Sequence, residues 1–451
     1  MPTPAREQYL EMKRQHPEAL LLFRMGDFYE TFERDAEVVS AVLGIALTSR
    51  PMGRDVGRVA LAGIPYHALD RYLDRLLAAG HRVALCEQTS PPGRGLVDRR
   101  VVRVFTPGTT DSATLVEERA HNWLLAVGPA AADGRAGLAA CDVTTGELEC
   151  RVLGVRELAA EWTRLAPGEA LVPRGVPRPE GVPAAATTSV VERPAEEFAP
   201  ARGARALAER FEVASATALG LEGAELAAGA AGALLGYLRQ TWPEALTHLR
   251  APRVVHPNDE VVIDPQTRRS LELTAGNRGD ASLLGAVDRT LTPAGARLLR
   301  DWLGRPLRRR ERIDARLDRV HALVEDTRAR ESLRAALRGL PDLERLLGRA
   351  RAGTATARQL VTLRAGLERL PALAEAARAA GGPHASSLAP LAEALGAALE
   401  ATRSSPRSPT TRHALDEGGP SAPVSTPPST RRASWQATRA RRARRTRARR
   451  A

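Results

Sequence analysis

The spacing of apolar residues changes along this chain, and the changes limit what it can fold into. Over the first 112 residues, short apolar runs such as Leu20–Phe23 alternate with stretches of helical spacing, which is typical of a compact mixed α/β domain. Strand-like runs come first in the next stretch, and Ala- and Leu-rich helical spacing returns at 204–240. After Pro257 the pattern is helical throughout. We therefore predict a multidomain protein.

The predicted domains follow these changes in pattern. We expect a mixed α/β N-terminal domain over 1–112, a second α/β domain over 118–243 and an all-α segment of long helices over 257–402. Residues 403–451 mix Ser, Pro and Thr with an Arg run and show no periodicity, so we expect a disordered C-terminal tail. The Pro- and Gly-rich stretch 166–204 predicts loops rather than core.

The charge of the chain is unevenly distributed. The formal net charge is +13, but thirteen Arg and two acidic residues after position 402 give the tail +11 and leave +2 for the rest. The basicity therefore predicts salt-sensitive, sequence-blind binding to phosphates by the tail. It says little about the folded part.

Cysteine usage and hydrophobicity indicate the compartment. Cys86, Cys141 and Cys150 are few, odd in number and lack metal-ligand spacing, so we expect reduced thiols. The N-terminus has no apolar signal region. A membrane span would need about 18 uninterrupted apolar residues, and the sequence has no such window. These features predict a cytoplasmic protein that makes no membrane contact.

The stretch RMGDFYETF, residues 24–32, raises a question about function. It places Phe28 two residues before Glu30 at the end of an apolar run, although a hydrophobic core needs the aromatic ring and not the acid. One interpretation is that Phe28 and Tyr29 pack inside while Glu30 is a solvated acid at a helix start. The other is that an exposed ring and a carboxylate together contact a ligand.

Three blocks of sequence, in order, resemble the MutS family of bacterial DNA mismatch repair proteins. GDFYETF (26–32), LAGIPYHALDRYLDRLLAAGHRVALCEQ (61–88) and VVRVFTPGT (101–109) resemble its mismatch-recognition domain. GLAACDVTTGEL (137–148) resembles its connector domain, for which the family implies an RNase H-like fold. SLLGAVDRTLTPAGARLLRDWLGRPL (282–307) and DLERLLGRARAG (342–353) resemble the start of its core, or lever, domain.

The resemblance gives candidate DNA-binding residues. It implies that Phe28 is a wedge that enters the minor groove at a mispair, and that Glu30 hydrogen-bonds the displaced base. Arg50 matches a family position near DNA, although it is equally well explained as an exposed arginine. Leu61 stands where the family usually has Met beside the wedge, and core packing explains it equally well.

The family also implies ATP and Mg as cofactors of the intact protein, but this sequence contains no motif that would bind them. A phosphate-binding loop of the form G-x-x-x-x-G-K-S/T needs a lysine, and the sole lysine, Lys13, has no such glycines beside it. We therefore expect no cofactor in this chain and no ATPase activity from it alone. We interpret the sequence beyond about residue 420 as the product of a frameshift or misassembly, which resequencing would test.

Three functions stay open from the sequence. The first is mismatched double-stranded DNA binding. The second is a DNA-dependent ATPase, if the intact family protein is meant. The third is a fragment that only contacts repair partners, a MutL-type protein above all, through its connector. The family implies a homodimer built largely by the ATPase domain, so we expect a monomer here.

Other residues receive structural interpretations. We expect Phe23, Phe32 and Trp302 in the core, and structural roles for Tyr66 and His67. Asp142 could suggest nuclease metal binding on an RNase H-like fold, but that chemistry needs several converging carboxylates. Its near neighbours Glu147 and Glu149 are predicted to be turn or strand-edge residues, so we do not predict catalysis there.

Overall fold

The computed structural model describes residues 4–51, 57–89, 97–112, 114–182, 188–256, 259–276 and 281–381. The predicted tail, 403–451, and the end of the predicted helical segment, 382–402, lie outside the described residues.

The first region contains a six-stranded mixed sheet within the described residues. Its strands, in chain order, are β1 (Ala19–Met25), β2 (Phe28–Phe32), β3 (Thr48–Pro51), β4 (Arg58–Pro65), β5 (Arg82–Gln88) and β6 (Arg99–Phe105), and their spatial order is β3-β4-β2-β1-β5-β6. β1 runs parallel to β5, and the other neighbours are antiparallel. The strands and helices confirm the mixed α/β prediction.

Among the described residues of this region, three α-helices cover the two faces of the sheet: α1 (Pro4–Gln15), α2 (Glu33–Leu43) and α3 (Leu69–Ala78). α2 ends at Gly44, which has a φ of +65°, as the sequence predicts for a helix C-terminus. Helices α2 and α3 pack on the face that carries Tyr29, while α1 packs on the face that carries Phe23 and Phe32. Phe23 and Phe32 are buried, which confirms their core assignment.

The second region also contains a six-stranded sheet within the described residues. Its strands are β7 (Trp123–Val127), β8 (Arg135–Asp142), β9 (Glu147–Gly154), β10 (Glu169–Pro173), β11 (Ser189–Arg193) and β12 (Arg253–Val254), in the order β11-β10-β7-β8-β9-β12. β7, β8 and β9 form an antiparallel meander, and β10, β11 and β12 add in parallel. The helices are α4 (Val155–Leu165), α5 (Pro200–Phe211) and α6 (Glu225–Thr241).

The prediction that 166–204 forms loops rather than core was wrong. This stretch contains β10 and β11, and all of β10 is buried. The apolar run Ala170–Val172 is short and lies between Pro167 and Pro173. A buried strand of this length shows no alternation of apolar and polar residues, so composition alone hid it.

The third region is helical, as predicted, but its helices are shorter than expected. They are α7 (Pro265–Ser270), α8 (Leu283–Val287), α9 (Pro293–Gly304), α10 (Arg310–Glu325), α11 (Thr327–Leu337), α12 (Leu343–Ala352), α13 (Ala357–Glu368) and α14 (Leu370–Ala379). The continuous pattern over 311–337 breaks at Asp326, whose carboxylate accepts a 2.8 Å hydrogen bond from the Ala329 backbone. That cap starts α11 as a separate helix.

Trp302 on α9 does not lie in the core, so that prediction was wrong. The side chain is 39% exposed, and the Arg316 guanidinium stacks 3.6 Å from the ring centroid. Leu317, Val320 and Val324 on α10 are more than half exposed as well. The helical spacing of these residues was correctly predicted, but in the described part of the chain no core covers them.

A buried carboxylate joins the first two regions. Glu169 on β10 accepts a 2.6 Å hydrogen bond from the Tyr237 hydroxyl and a 3.2 Å hydrogen bond from the Gly108 backbone. The Thr106 hydroxyl donates to the same carboxylate, and Arg82 on β5 donates to the Tyr237 oxygen at 2.5 Å. Glu169 is fully buried, so its orientation depends on groups from both regions.

Candidate nucleic-acid interface

A tight hairpin between β1 and β2 positions Phe28. The loop is Gly26-Asp27, and Gly26 has a φ of +60°, a conformation that glycine adopts without steric cost. Phe28 follows at once, paired with Met25 on β1 and with Pro65 on β4. A ring at the first position of a strand, beside a two-residue loop, projects at the edge of the domain.

Phe28 is unusually accessible for an aromatic residue in a sheet. Its side chain is 46% exposed, whereas Phe32, four residues later on the same face of β2, is 3% exposed. Exposing the ring forgoes much of the burial free energy that a phenylalanine contributes, about 1.5–3 kcal/mol. The sequence alternative in which Phe28 and Tyr29 both pack inside is therefore wrong for Phe28 and correct for Tyr29, which is buried.

Glu30 lies on the same face as Phe28 and is more enclosed. Its side chain is 17% exposed, and the Arg50 guanidinium donates from Nη1 to its two oxygens at 3.0 and 3.4 Å. Burial raises the pKa of the Glu30 carboxyl, and the charge and hydrogen bonds of Arg50 offset part of that rise. The alternative of a freely solvated acid is wrong as well.

The structure brings all four predicted site residues to one face of the first sheet. Side chains alternate between faces along a strand and face the same way across paired positions. Leu61 on β4 pairs with Phe32, and two positions away Gly63 pairs with Glu30. Arg50 on the neighbouring strand β3 reaches across β4 to Glu30. Leu61 is partly buried against the core under α1.

Sequence reasoning gave Tyr66 a structural role but did not show that it holds the hairpin in place together with Arg24. The Tyr66 backbone N–H donates to the Asp27 carbonyl at 2.9 Å, and the Arg24 guanidinium stacks 4.0 Å from the Tyr66 ring centroid. Tyr66 is 44% exposed, so its structural role is to support the loop rather than the core. Gly63 leaves space beside Phe28: a Cβ there would lie 3.8 Å from the ring. The motif GIPYH was the available signal.

The acids of the second region are already paired with neighbouring groups. Asp142 accepts hydrogen bonds from His121 at 2.9 Å and from the Thr144 hydroxyl at 2.6 Å. Glu149 accepts two 2.9 Å hydrogen bonds from Arg305. The prediction that Glu149 is a turn or strand-edge residue was wrong, because it is buried on β9 between β8 and β12. These contacts occupy the carboxylates of Asp142 and Glu149, two of the three acids that the sequence places near one another.

One group among the described residues has the geometry of a metal site: His121, Glu147 and Asp301. The Nε2 atom of His121 lies 3.5 Å from Glu147 and 3.6 Å from Asp301. Asp301 also lies near Arg164 and Arg305, whose charges disfavour a bound cation. Burial opposes a charged ring, but hydrogen bonding to Asp142 and Asp301 raises the pKa of His121 to about 10. We therefore assign an ion-paired imidazolium to this group.

Comparison with known families agrees with the order of these regions. The family model described as MutS domain I matches residues 3–114, MutS domain II matches 122–250 and MutS domain III matches 266–417. The chain belongs to the MutS family. It is 43% identical over 385 residues to the DNA mismatch repair protein MutS of Symbiobacterium thermophilum, which covers 82% of this chain and 44% of that relative.

Other MutS relatives give the same picture. The DNA mismatch repair protein MutS of Dehalococcoides mccartyi (strain 195) is 42% identical over 376 residues, covering 82% of this chain and 43% of the relative. That of Synechococcus sp. (strain RCC307) is 42% identical over 397 residues, covering 87% of this chain and 44% of the relative. The chain thus spans less than half the length of these curated MutS relatives.

None of the helices that the structure describes in this MutS family member is both long and apolar enough to cross a membrane.

Proposed function

We propose that this chain binds double-stranded DNA at a mispair, in mismatch repair, by inserting the Phe28 ring between bases. The observation that carries the proposal is the 46% exposure of this ring at the tip of the β1–β2 hairpin. A large apolar ring exposed to water at the tip of a hairpin can stack on a nucleic-acid base. Its place in the stretch that resembles the family's mismatch-recognition domain supports the same role.

The deformability of the duplex provides the selectivity. Separating two stacked bases costs a few kcal/mol, and kinking the duplex costs more. A mispaired base has already lost part of its pairing and stacking, so the same insertion costs less there. Stacking on the ring returns about 1–3 kcal/mol per base. The ring therefore detects how easily the duplex yields and does not read its sequence.

Glu30 hydrogen-bonds the displaced base and so contributes to discrimination. Its carboxylate lies on the same face as the ring, and burial raises its pKa, so a protonated carboxyl can donate a hydrogen bond at some mispairs. On matched DNA the charged form is repelled by the phosphates and gains no compensating bond. We propose DNA contacts for Arg50 and Leu61 too: Arg50 near the backbone, and Leu61 as an apolar neighbour of the wedge.

The test is a gel-shift comparison of G·T and G·C duplexes. Phe28→Ala removes the ring, and we expect the preference for G·T over G·C to fall to about one. The affinity for the G·T duplex should fall by roughly 5- to 150-fold if stacking contributes about 1–3 kcal/mol. Glu30→Gln should narrow discrimination while keeping or improving binding to matched DNA. Leu298→Ala, which truncates a side chain that is 51% exposed on α9, is the control. A G·T to G·C ratio unchanged by Phe28→Ala would refute the wedge.

The roles of the remaining regions are proposed on the same basis. The order β9-β8-β7-β10-β11, a meander extended by two parallel strands, supports an RNase H-like connector in the second region. We propose that this connector, over 118–243, contacts a MutL-type repair protein, and that the helical region is a core, or lever, segment. We propose further that this chain is a cytoplasmic monomer.

A further inference from the structure

The contact between Arg50 and Glu30 spans three strands. Arg50 lies on β3, at the edge of the described sheet, and its side chain crosses β4 to reach Glu30 on β2. The contact uses one guanidinium nitrogen, Nη1, at 3.0 and 3.4 Å from the two carboxylate oxygens. Nε and Nη2 make no hydrogen bond to any described residue. The pair therefore uses only part of what an arginine can donate.

The two partners differ in their freedom to move. The Glu30 side chain is 17% exposed and sits in the middle of a strand, whereas the Arg50 side chain is 47% exposed on the edge strand. Exposed ion pairs of this kind are weak, because water and salt screen them. A phosphate can accept two parallel hydrogen bonds from a guanidinium, which is a stronger arrangement. A nearby phosphate should therefore bind the Arg50 guanidinium in preference to the Glu30 carboxylate.

We infer that Arg50 moves from Glu30 to a backbone phosphate when duplex DNA binds, and that this exchange makes Glu30 discriminate. This rests on the proposed function. In the free protein Arg50 satisfies the carboxylate. On DNA the carboxylate loses that partner, so it stays unpaired on a matched duplex and is satisfied only where a displaced base offers a hydrogen bond. Arg50 is thus a specificity-determining residue that acts through Glu30.

The salt dependence of binding tests the exchange in the full 451-residue chain. The slope of log K against log salt, between 50 and 200 mM KCl on a G·C duplex, changes by about 0.9 for each phosphate that is neutralised. We expect Arg50→Met to reduce the magnitude of this negative slope by about 0.9, and Arg50→Lys to leave it unchanged. Glu30→Gln should leave the slope unchanged, because Arg50 already sits on a phosphate in the complex. Arg135→Met, which breaks an exposed 2.7 Å pair with Asp133, is the matched control and should have no effect.

Any other combination of salt slopes for the Arg50 and Glu30 variants would contradict the exchange. If Arg50 stayed on Glu30 in the complex, Arg50→Met would leave the slope unchanged, and Glu30→Gln would raise it by about 0.9 by freeing the arginine for a phosphate. An unchanged slope in both variants would mean that Arg50 meets no phosphate. The G·T to G·C ratio of Phe28→Ala is a separate measurement, so failure of the wedge and failure of the exchange can be told apart.

Discussion

Replacing Glu149 with Gln should destabilise the contact between the second α/β region and the helical region. Glu149 on β9 is fully enclosed and accepts two 2.9 Å hydrogen bonds from Arg305, which follows α9, and one of 2.6 Å from Arg253. Arg151 and Arg164 lie within 3.8 Å of the same carboxylate. Gln has nearly the same shape, so the substitution removes one negative charge from the centre of a buried arginine cluster. Arg305 then keeps only Glu260 and Asp301, at 3.9 and 3.7 Å, as carboxylate neighbours.

The expected cost follows from that environment. Breaking a buried ion pair by removing one partner typically costs about 3–5 kcal/mol, because the remaining charge is not compensated. Burial alone would raise the pKa of Glu149, but Arg305, Arg164 and Arg253 hold it well below its ordinary value. A depressed carboxyl pKa stabilises the fold above the unfolded-state value of about 4.3, and this stabilisation is lost as the pH falls below it. The difference between wild type and Glu149→Gln should therefore shrink in acid.

Hydrogen exchange of the β9 amides, residues 147–154, measures the effect locally. A loss of about 3–5 kcal/mol corresponds to exchange that is faster by roughly 10²- to 10⁴-fold at pH 7. Glu192→Gln is the control, since Glu192 forms a 3.5 Å pair with Arg178 in which both side chains are more than one-third exposed. That variant should change the opening free energy derived from β9 amide exchange by less than about 1 kcal/mol. Equal, small effects of the two variants would refute the argument that the buried arginines depend on Glu149.

Two further predictions concern packing and pH. Gly232→Ala should destabilise the protein by about 1–3 kcal/mol in urea unfolding, because the new Cβ would lie 2.4 Å from the Cα of Gly203 on α5. Gly236→Ala, one turn along α6 with nothing within 4 Å, should stabilise it by about 0.5–1 kcal/mol; equal effects would contradict the packing argument. Burial opposes both charges of the His121–Asp142 pair, yet their hydrogen bond raises the pKa of His121 to about 10 and lowers that of Asp142 to about 2. Its stabilisation should be complete between about pH 4 and 6.5 and fall on either side, toward pH 2 and pH 10; His121→Gln should flatten this profile of unfolding free energy.

Local patterns predicted much of the first region. The run Leu20–Phe23 forms a buried strand, and the 3-to-4 spacing that ends at Gly44 forms a helix, because each pattern depends on neighbours that are close in sequence. Phe28 and Glu30 stood out because an acid beside an apolar run has no role in a core. The sequence could not show that Arg50 reaches Glu30, since that contact depends on how three strands pair.

Long-range pairing accounts for the errors. Glu149 looked like an edge residue because its partners, Arg253 and Arg305, come more than 100 residues later in the chain. Trp302 has the helical spacing of a core residue, but its exposure depends on which elements pack against α9, and the spacing does not show that. Spacing along a helix predicts which residues share a face and not what covers that face.

The buried Glu169 carboxylate limits how the first two regions can move. Rotating one against the other would separate Glu169 from Thr106 and Gly108, and Tyr237 from Arg82. Losing two of its three donors leaves the buried Glu169 carboxylate partly unsatisfied, which costs more than the roughly 1–3 kcal/mol of a neutral group and disfavours such rotation. If the hairpin binds a bent duplex as proposed, the resulting torque passes through β1 and β5 into the second sheet and is not absorbed by a flexible joint between the regions.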